Sequence, residues 1–293
     1  MDYPPGSGYC KYLLTLLGMA DGIFEDGDLI RVISQEGALI AAGGAASLLQ
    51  TAHPKVAQGV YDHSYTADDP ARRLRNTMGW LYVVQFGTRE EAETLSALVT
   101  KGHESITGPG YEANDPELQV WVASTLFAVA TQFYQLLFRR TFSERELEEF
   151  YRQTKIYATI LGCPEERLPA TYRDFREYYA GMLNSLRISD ASRAVAEQVL
   201  HPKLPGGPLN APGLMMIRLL TAGMMPEPIR VQYGWKWSRA RELRFRLLVA
   251  ALAAVYPRLP VRVRTLPREV YLHSTRKMLA KLKRKPAIRV QSA

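Results

Sequence analysis

Cysteine is scarce in this chain. Its 293 residues carry two, Cys10 and Cys163, which excludes a disulfide framework and suits a reducing cytoplasm. No apolar run approaches the ~18 residues a membrane span requires; the longest covers residues 247–256. The first residues lack the basic stretch and long apolar core of a secretory leader, so none is expected. GxSxG, P-loop, CxxC and HExxH motifs are all absent, and Gly43-Gly44 does not fit GxGxxG. Serine-hydrolase, nucleotide-loop, zinc-protease and Rossmann chemistries therefore have no support. No histidine has a glutamate three residues before it, which speaks against a carboxylate-bridged di-iron bundle. Alternating strand patterns are few and helical periodicity dominates, so the expected class is all-α.

Acidic residues are scarce in one place only. From Ile229 onward there are 17 Lys or Arg against two acids, a net +15, which leaves −7 on the remainder. The expected organisation is a helical catalytic body over residues 1–228 with a basic helical extension over 229–293. Such an extension either attracts an anionic membrane surface or packs back on the acidic body. No recognition motif accompanies the charge, so nucleic acid is not an expected partner.

Caps and breakers delimit the helices. Asp26 or Asp28 starts a helix expected to run on through LIAAGGAASLLQTA until Pro54 breaks it. Gly43 and Gly44 inside it cost about 1 kcal/mol each relative to Ala. Either a second backbone or a flat ligand approaches closely there, or two helices cross tightly. DDPARRLRNTMGWLYVVQFG reads as a helix opened by acids and proline and closed by glycine. Thr88 and Glu91 form a capping box opening the helix toward His103. A long apolar helix starts near Pro116 and belongs in the centre. Further helices follow Ser143 and Thr171, and ISDASRAVAEQVLH forms another. Residues 201–213 read as a linker or rigid loop. Beyond it come LMMIRLLTAGMM, a Trp-rich turn at YGWKW, and a basic amphipathic helix from Ser238. In that helix Leu243, Leu247, Leu248, Ala251 and Val255 form an apolar face beside Arg239, Arg241, Arg244 and Arg246, a pattern suited to a membrane interface.

Three of the five histidines, His53, His63 and His103, fall within one quarter of the chain. Imidazole is the commonest metal and haem ligand and titrates near neutrality. His103 ends a helix whose remaining face is apolar, and reads as either a ligand or a satisfied structural histidine. Arg73 and Thr77 share one helix face at i, i+4. They can hold a carboxylate or propionate and donate to a bound oxygen, or can form an exposed basic turn with Arg72 and Arg75. His53 before Pro54 and His63 before Ser64 read equally as a kink and a cap.

Several runs bear a family likeness: GGAASLLQTAHPKVAQGVYDHS, DPARRLRNTMGWLYVVQFGTREEA, KGHESITG, YEANDPELQVWVASTL and ILGCPEERLPATYRDFREYYAGML. Together they resemble the oxygenase catalytic domain shared by bacterial rubber oxygenases and the fungal membrane-bound oxygenases of mycophenolic acid biosynthesis. The likeness covers about residues 30–225 in consistent order. It implies an all-helical single domain with a globin-like core around haem b. It implies oxygenation or oxidative cleavage, with dioxygen, of a hydrophobic and often isoprenoid small molecule. By resemblance, His103 is the iron ligand, and Arg73 and Thr77 stand on the distal side. His63 and His53 would shape that side or carry a proton, with Gly43 and Gly44 close to the cofactor. The helix around Trp121, Leu126 and Phe127 would line a slot for haem or substrate. Three positions depart from the family pattern. Asn76 stands where rubber oxygenases have a Lys directly before the Thr. Ala123 stands where a His often follows the helix Trp. The general-base Glu has no identifiable counterpart, although Gln58 and His63 lie near that stretch. The alternative reading is a haem-free helical protein that docks on anionic membranes through its basic arm.

Overall fold

The computed structural model describes residues 22–63, 69–202 and 211–284. Cys10, the stretch inspected for a leader, and most of the 201–213 loop lie outside the described residues. The fold is all-α. Its helices are α1 (Leu29–Ser34), α2 (Leu39–Gln50), α3 (Pro54–His63), α4 (Pro70–Phe86), α5 (Arg89–His103), α6 (Pro116–Phe138), α7 (Glu144–Thr154), α8 (Ile156–Thr159), α9 (Tyr172–Ser185), α10 (Asp190–Leu200), α11 (Ala211–Met224), α12 (Glu227–Gln232), α13 (Arg239–Val255) and α14 (Val261–Arg284). Among the described residues the only sheet is a hairpin of β1 (Thr107–Gly108) and β2 (Tyr111–Glu112) between α5 and α6.

The expected caps form except at α1, where Asp28 makes no side-chain cap bond and its carboxylate instead accepts from the Glu25 amide and from Gln153. Asp69 accepts from the Arg72 amide with Pro70 behind it, and Thr88–Glu91, Ser143–Glu146 and Thr171–Asp174 each make both bonds of a capping box. Each occupies amides that the helix itself leaves unpaired.

The helix expected to run unbroken from Asp26 or Asp28 through Ala52 is instead two, broken at residues 35–38. The cause is tertiary. The Gly37 amide donates to Arg264 O at 2.8 Å. A Cβ on Gly37 would lie 2.5 Å from Pro267 Cγ and 2.8 Å from Arg264 O. The break admits the start of α14, and Glu36 pairs with Arg264 across it at 2.6 Å.

α6 is the centre. One side packs Trp121 and Phe133 against Leu48 and Leu49 of α2 and Leu220 and Met224 of α11. The other sets Phe127 among Phe150, Tyr151 and Phe175 at ring distances of 4.8–5.4 Å. Burying one such phenyl ring contributes about 1.5–3 kcal/mol. α6 is long and apolar enough to cross a membrane, but 61% of its most apolar window is buried inside the protein. It is the core helix of this fold.

The third core region joins Tyr82, Val83 and Val84 of α4 and Leu95 of α5 to Leu272 and Leu279 of α14. Arg276 donates twice to Glu91, and Lys283 pairs with Glu90 at 2.7 Å. α14 thus lies along the acidic first turn of α5, where cations meet carboxylates at a helix start.

Candidate functional site

Local sequence sets the site's frame. α4 and α5 are joined only through Gly87 and Thr88, so they run antiparallel and pack together. Arg73 and His103 each lie about 21–23 Å from that turn at 1.5 Å per residue. The hairpin therefore carries Arg73, Thr77 and His103 toward the same open end. Arg73 is half-buried there and Thr77 is exposed.

His103 closes α5 and is half-buried. Its Nδ1 is buried with no hydrogen-bond partner among the described residues, and so is Oδ1 of Asn114. The Asn114 amide nitrogen is held by Thr100 O at 3.1 Å. Burial lowers the His103 pKa, and the neighbouring Asn114 side chain opposes that shift. A neutral imidazole with an unused ring nitrogen is the form that ligates a metal.

His53 lies between α2 and α3. Its Nδ1 is likewise buried without a partner among the described residues. Burial, then Lys55, lowers its pKa, while Asp115 and Glu117 pull it upward. His63 ends α3 and is exposed; its Nε2 lies 3.1 Å from both Thr107 O and the Tyr111 hydroxyl. That hydroxyl donates to Asp62 Oδ2 at 2.7 Å, and Gln58 donates to Asp62 Oδ1 at 2.9 Å. The Asp62 carboxylate pushes the Tyr111 pKa up to about 12. The bond from Tyr111, then that from Gln58, lowers the pKa of Asp62.

One segment, residues 106–117, therefore meets two of the three histidines and lies within electrostatic reach of the third. His63 rests on Thr107 and Tyr111, His103 faces Asn114, and His53 sits in the field of Asp115 and Glu117. The segment turns back at Pro109 and Gly110, whose φ of +81° a type II turn requires. Asn114, Tyr111 and Asp62 had no chemical role in the sequence reading. YEANDP carried the family likeness, but nothing in its spacing marks Asn114 as the neighbour of His103.

Other expected positions do not converge here. A Cβ on Gly44 would meet Thr221 Oγ1 at 2.5 Å, so Gly44 serves the α2–α11 crossing, whereas Gly43 faces open space. The Trp121 indole donates to Leu49 O and Gln50 O, both at 3.1 Å, at the end of α2. Leu126 packs into the core. Phe127 reaches a cleft of about 1170 Å³ between the second half of α6 and α9, floored by Phe175, Tyr179 and Leu136. Thr131 contributes a buried, unpartnered hydroxyl to it. The rise per residue puts Thr131 about 22 Å along α6 from Pro116, at the far end from His103.

Among the described residues no three His, Cys, Asp or Glu side chains converge as a metal-binding group. A haem asks for one protein ligand, not three. A lone half-buried imidazole with an amide beside it meets that requirement.

Known proteins similar to this chain extend this picture. Two mycobacterial proteins, from Mycobacterium bovis and Mycobacterium tuberculosis, are each 25% identical over 238 residues, covering 78% of this chain and 93% of their own. Both are described only as uncharacterized. No solved structure matches. The family described as "ER-bound oxygenase mpaB/B'/Rubber oxygenase, catalytic domain" matches residues 30–254, from α1 to the end of α13. The chain belongs to that family of oxygenase catalytic domains.

Proposed function

We infer that this protein is a haem b-dependent oxygenase of the cytoplasm, with a globin-like haem core, acting with dioxygen on a hydrophobic small molecule. One observation carries the reading: His103 is a half-buried imidazole of lowered pKa whose Nδ1 is buried beside the Asn114 side chain, with its Oδ1 buried as well. A ligating histidine usually gives its second ring N–H to such an acceptor, which fixes the tautomer and the ring plane. His103 is thus the residue to hold iron, and Asn114 the residue to orient it. When bound, the haem supplies the activation of dioxygen.

The chain's own groups do the rest. Arg73, at the same end of the α4–α5 hairpin, neutralises a propionate or polarises dioxygen. Thr77, one turn further on, donates a hydrogen bond. His63, held between Thr107 and Tyr111 and next to Asp62, can accept a proton and pass it along that chain. His53 supplies a second imidazole, whose pKa burial lowers.

Absorption spectra and a pyridine haemochromogen assay on protein from haem-supplemented cells test this reading. Expected is a Soret band with close to one haem b per chain, lost in His103→Ala while far-UV circular dichroism stays helical. Asn114→Leu should weaken haem affinity by about tenfold or more, the usual cost of removing a ligand's orienting partner. Full haem content in folded His103→Ala would refute the assignment.

A further inference from the structure

Eight of the 17 exposed large apolar side chains among the described residues lie in one short stretch, residues 243–270. Leu243, Leu247 and Val255 on α13 are 58–61% exposed, and Val261, Val263, Leu266 and Val270 on α14 are 52–57% exposed. Leu259, in the turn between them, is 37% exposed. On α13 these positions follow the helical period with Ala251, opposite the face that buries Phe245, Leu248 and Leu252 in the core. Leu248, which the sequence pattern put on the outer face, belongs to that inner side. Large apolar side chains left in water at this density along the chain call for a use, such as a binding surface.

The charge around this stretch has one sign. Residues 239–284 contain 13 Lys or Arg and two acids. Both acids are spent locally: Glu242 on Trp237 and Arg246, and Glu269 on Arg268. Arg244 lies on the α13 stripe between Leu243 and Leu247, and Arg262 lies between Val261 and Val263. Both are exposed, and neither has an acidic partner among the described residues. Large apolar side chains with unpaired arginines between them match the boundary between phospholipid headgroups and acyl chains, where side chains insert and guanidinium groups hold phosphate. A second copy seated face to face would bring Arg244 and Arg262 against their own counterparts. Nucleic acid would leave the leucines and valines facing a polar polyanion.

We propose that the corner formed by α13, residues 256–260 and the first turns of α14 docks the protein on an anionic phospholipid bilayer. The proposal does not rest on the haem reading. It has a consequence for that reading, because apolar substrates partition into the surface on which the protein would sit.

Vesicle sedimentation of the full chain tests it, using phosphatidylcholine alone or with about 30% phosphatidylglycerol. The expected result is binding to the anionic vesicles, weak binding to neutral ones, and release as salt rises from about 0.1 to 0.5 M. Leu247→Glu/Val263→Glu and Arg244→Glu/Arg262→Glu should each weaken partitioning by about tenfold or more. All four positions are exposed, so unchanged melting curves show that the fold is intact. No binding to anionic vesicles at low salt overturns the proposal, as does binding that both double variants leave unchanged. A dimer seen by light scattering that Leu247→Glu/Val263→Glu dissolves, without vesicle binding, overturns it in favour of a second copy.

Discussion

Arg264→Met should destabilise this protein more than an exposed substitution can, and the reason lies where α14 enters the body. The Glu36 carboxylate is 4% exposed and meets Arg264 Nη1 at 2.6 Å. The Tyr256 hydroxyl donates to Glu36 Oε2 at 3.0 Å and accepts from the Ala38 amide at 3.2 Å. Removing the guanidinium leaves a buried carboxylate with one phenol for company. Breaking one side of such a pair costs about 3–5 kcal/mol, because the remaining charge is uncompensated. For a chain of this size that lowers the melting midpoint by roughly 5–8 °C. Glu36→Gln/Arg264→Met should recover at least half of the loss, since no bare charge remains.

The pH dependence has a definite sign. Burial, outweighing Arg264 and Tyr256, raises the Glu36 pKa above its usual 4.5. Between the unfolded and the folded values the native state therefore holds a proton that the unfolded chain has released, and above both the carboxylate pairs with Arg264. Stability from this group is full below the unfolded pKa and is lost as pH rises through the folded one. Without Arg264 the folded pKa rises further, so Arg264→Met should be nearer to wild type at about pH 5 than at about pH 8. Differential scanning calorimetry at both pH values is the assay. A midpoint within about 2 °C of wild type at pH 8, or a double variant equal to the sum of the singles, would refute the clasp.

Three further outcomes follow from the same physics. Burial lowers the pKa of His53 and His103, so stability from both is present above the unfolded value near 6.5 and lost as pH falls through it toward the lowered folded values. His53→Asn/His103→Asn should flatten the decline of the haem-free melting midpoint between those limits, and an unchanged slope would deny that the imidazoles are buried neutral. Gly44→Ala must displace Thr221 and should cost about 1–3 kcal/mol, whereas Gly43→Ala meets nothing and should gain up to about 1 kcal/mol; denaturant titration ranks the pair. Trp121→Phe loses the indole bond to the end of α2 and should cost about 1–2 kcal/mol by the same titration.

Much of this molecule is legible in the sequence because helix starts are local events. Thr88 and Glu91, or Ser143 and Glu146, need only each other and three amides, so their capping boxes form where the letters predict them. The apolar run after Pro116 similarly dictates a buried helix, whichever neighbours cover it. The break at Gly37 was not legible, because its cause is Pro267 and Arg264, more than 200 residues away. Gly43 and Gly44 look alike as a pair, and only the arrival of Thr221 distinguishes them.

The candidate site divides in the same way. Sequence alone determined that His53, His63 and His103 are concentrated in one segment, that Arg73 and Thr77 share a helix face, and that the chain carries its positive charge at one end. These follow from periodicity and composition, which need no partner. Tertiary structure decided that His63 and His103 meet the segment at residues 106–117, that Asn114 is the neighbour of His103, and that α14 packs on α4 and α5. It also decided that large apolar side chains of α13, of the turn after it and of α14 stay exposed. Those are statements about which groups exclude water from one another, and that is settled only when distant parts of the chain meet.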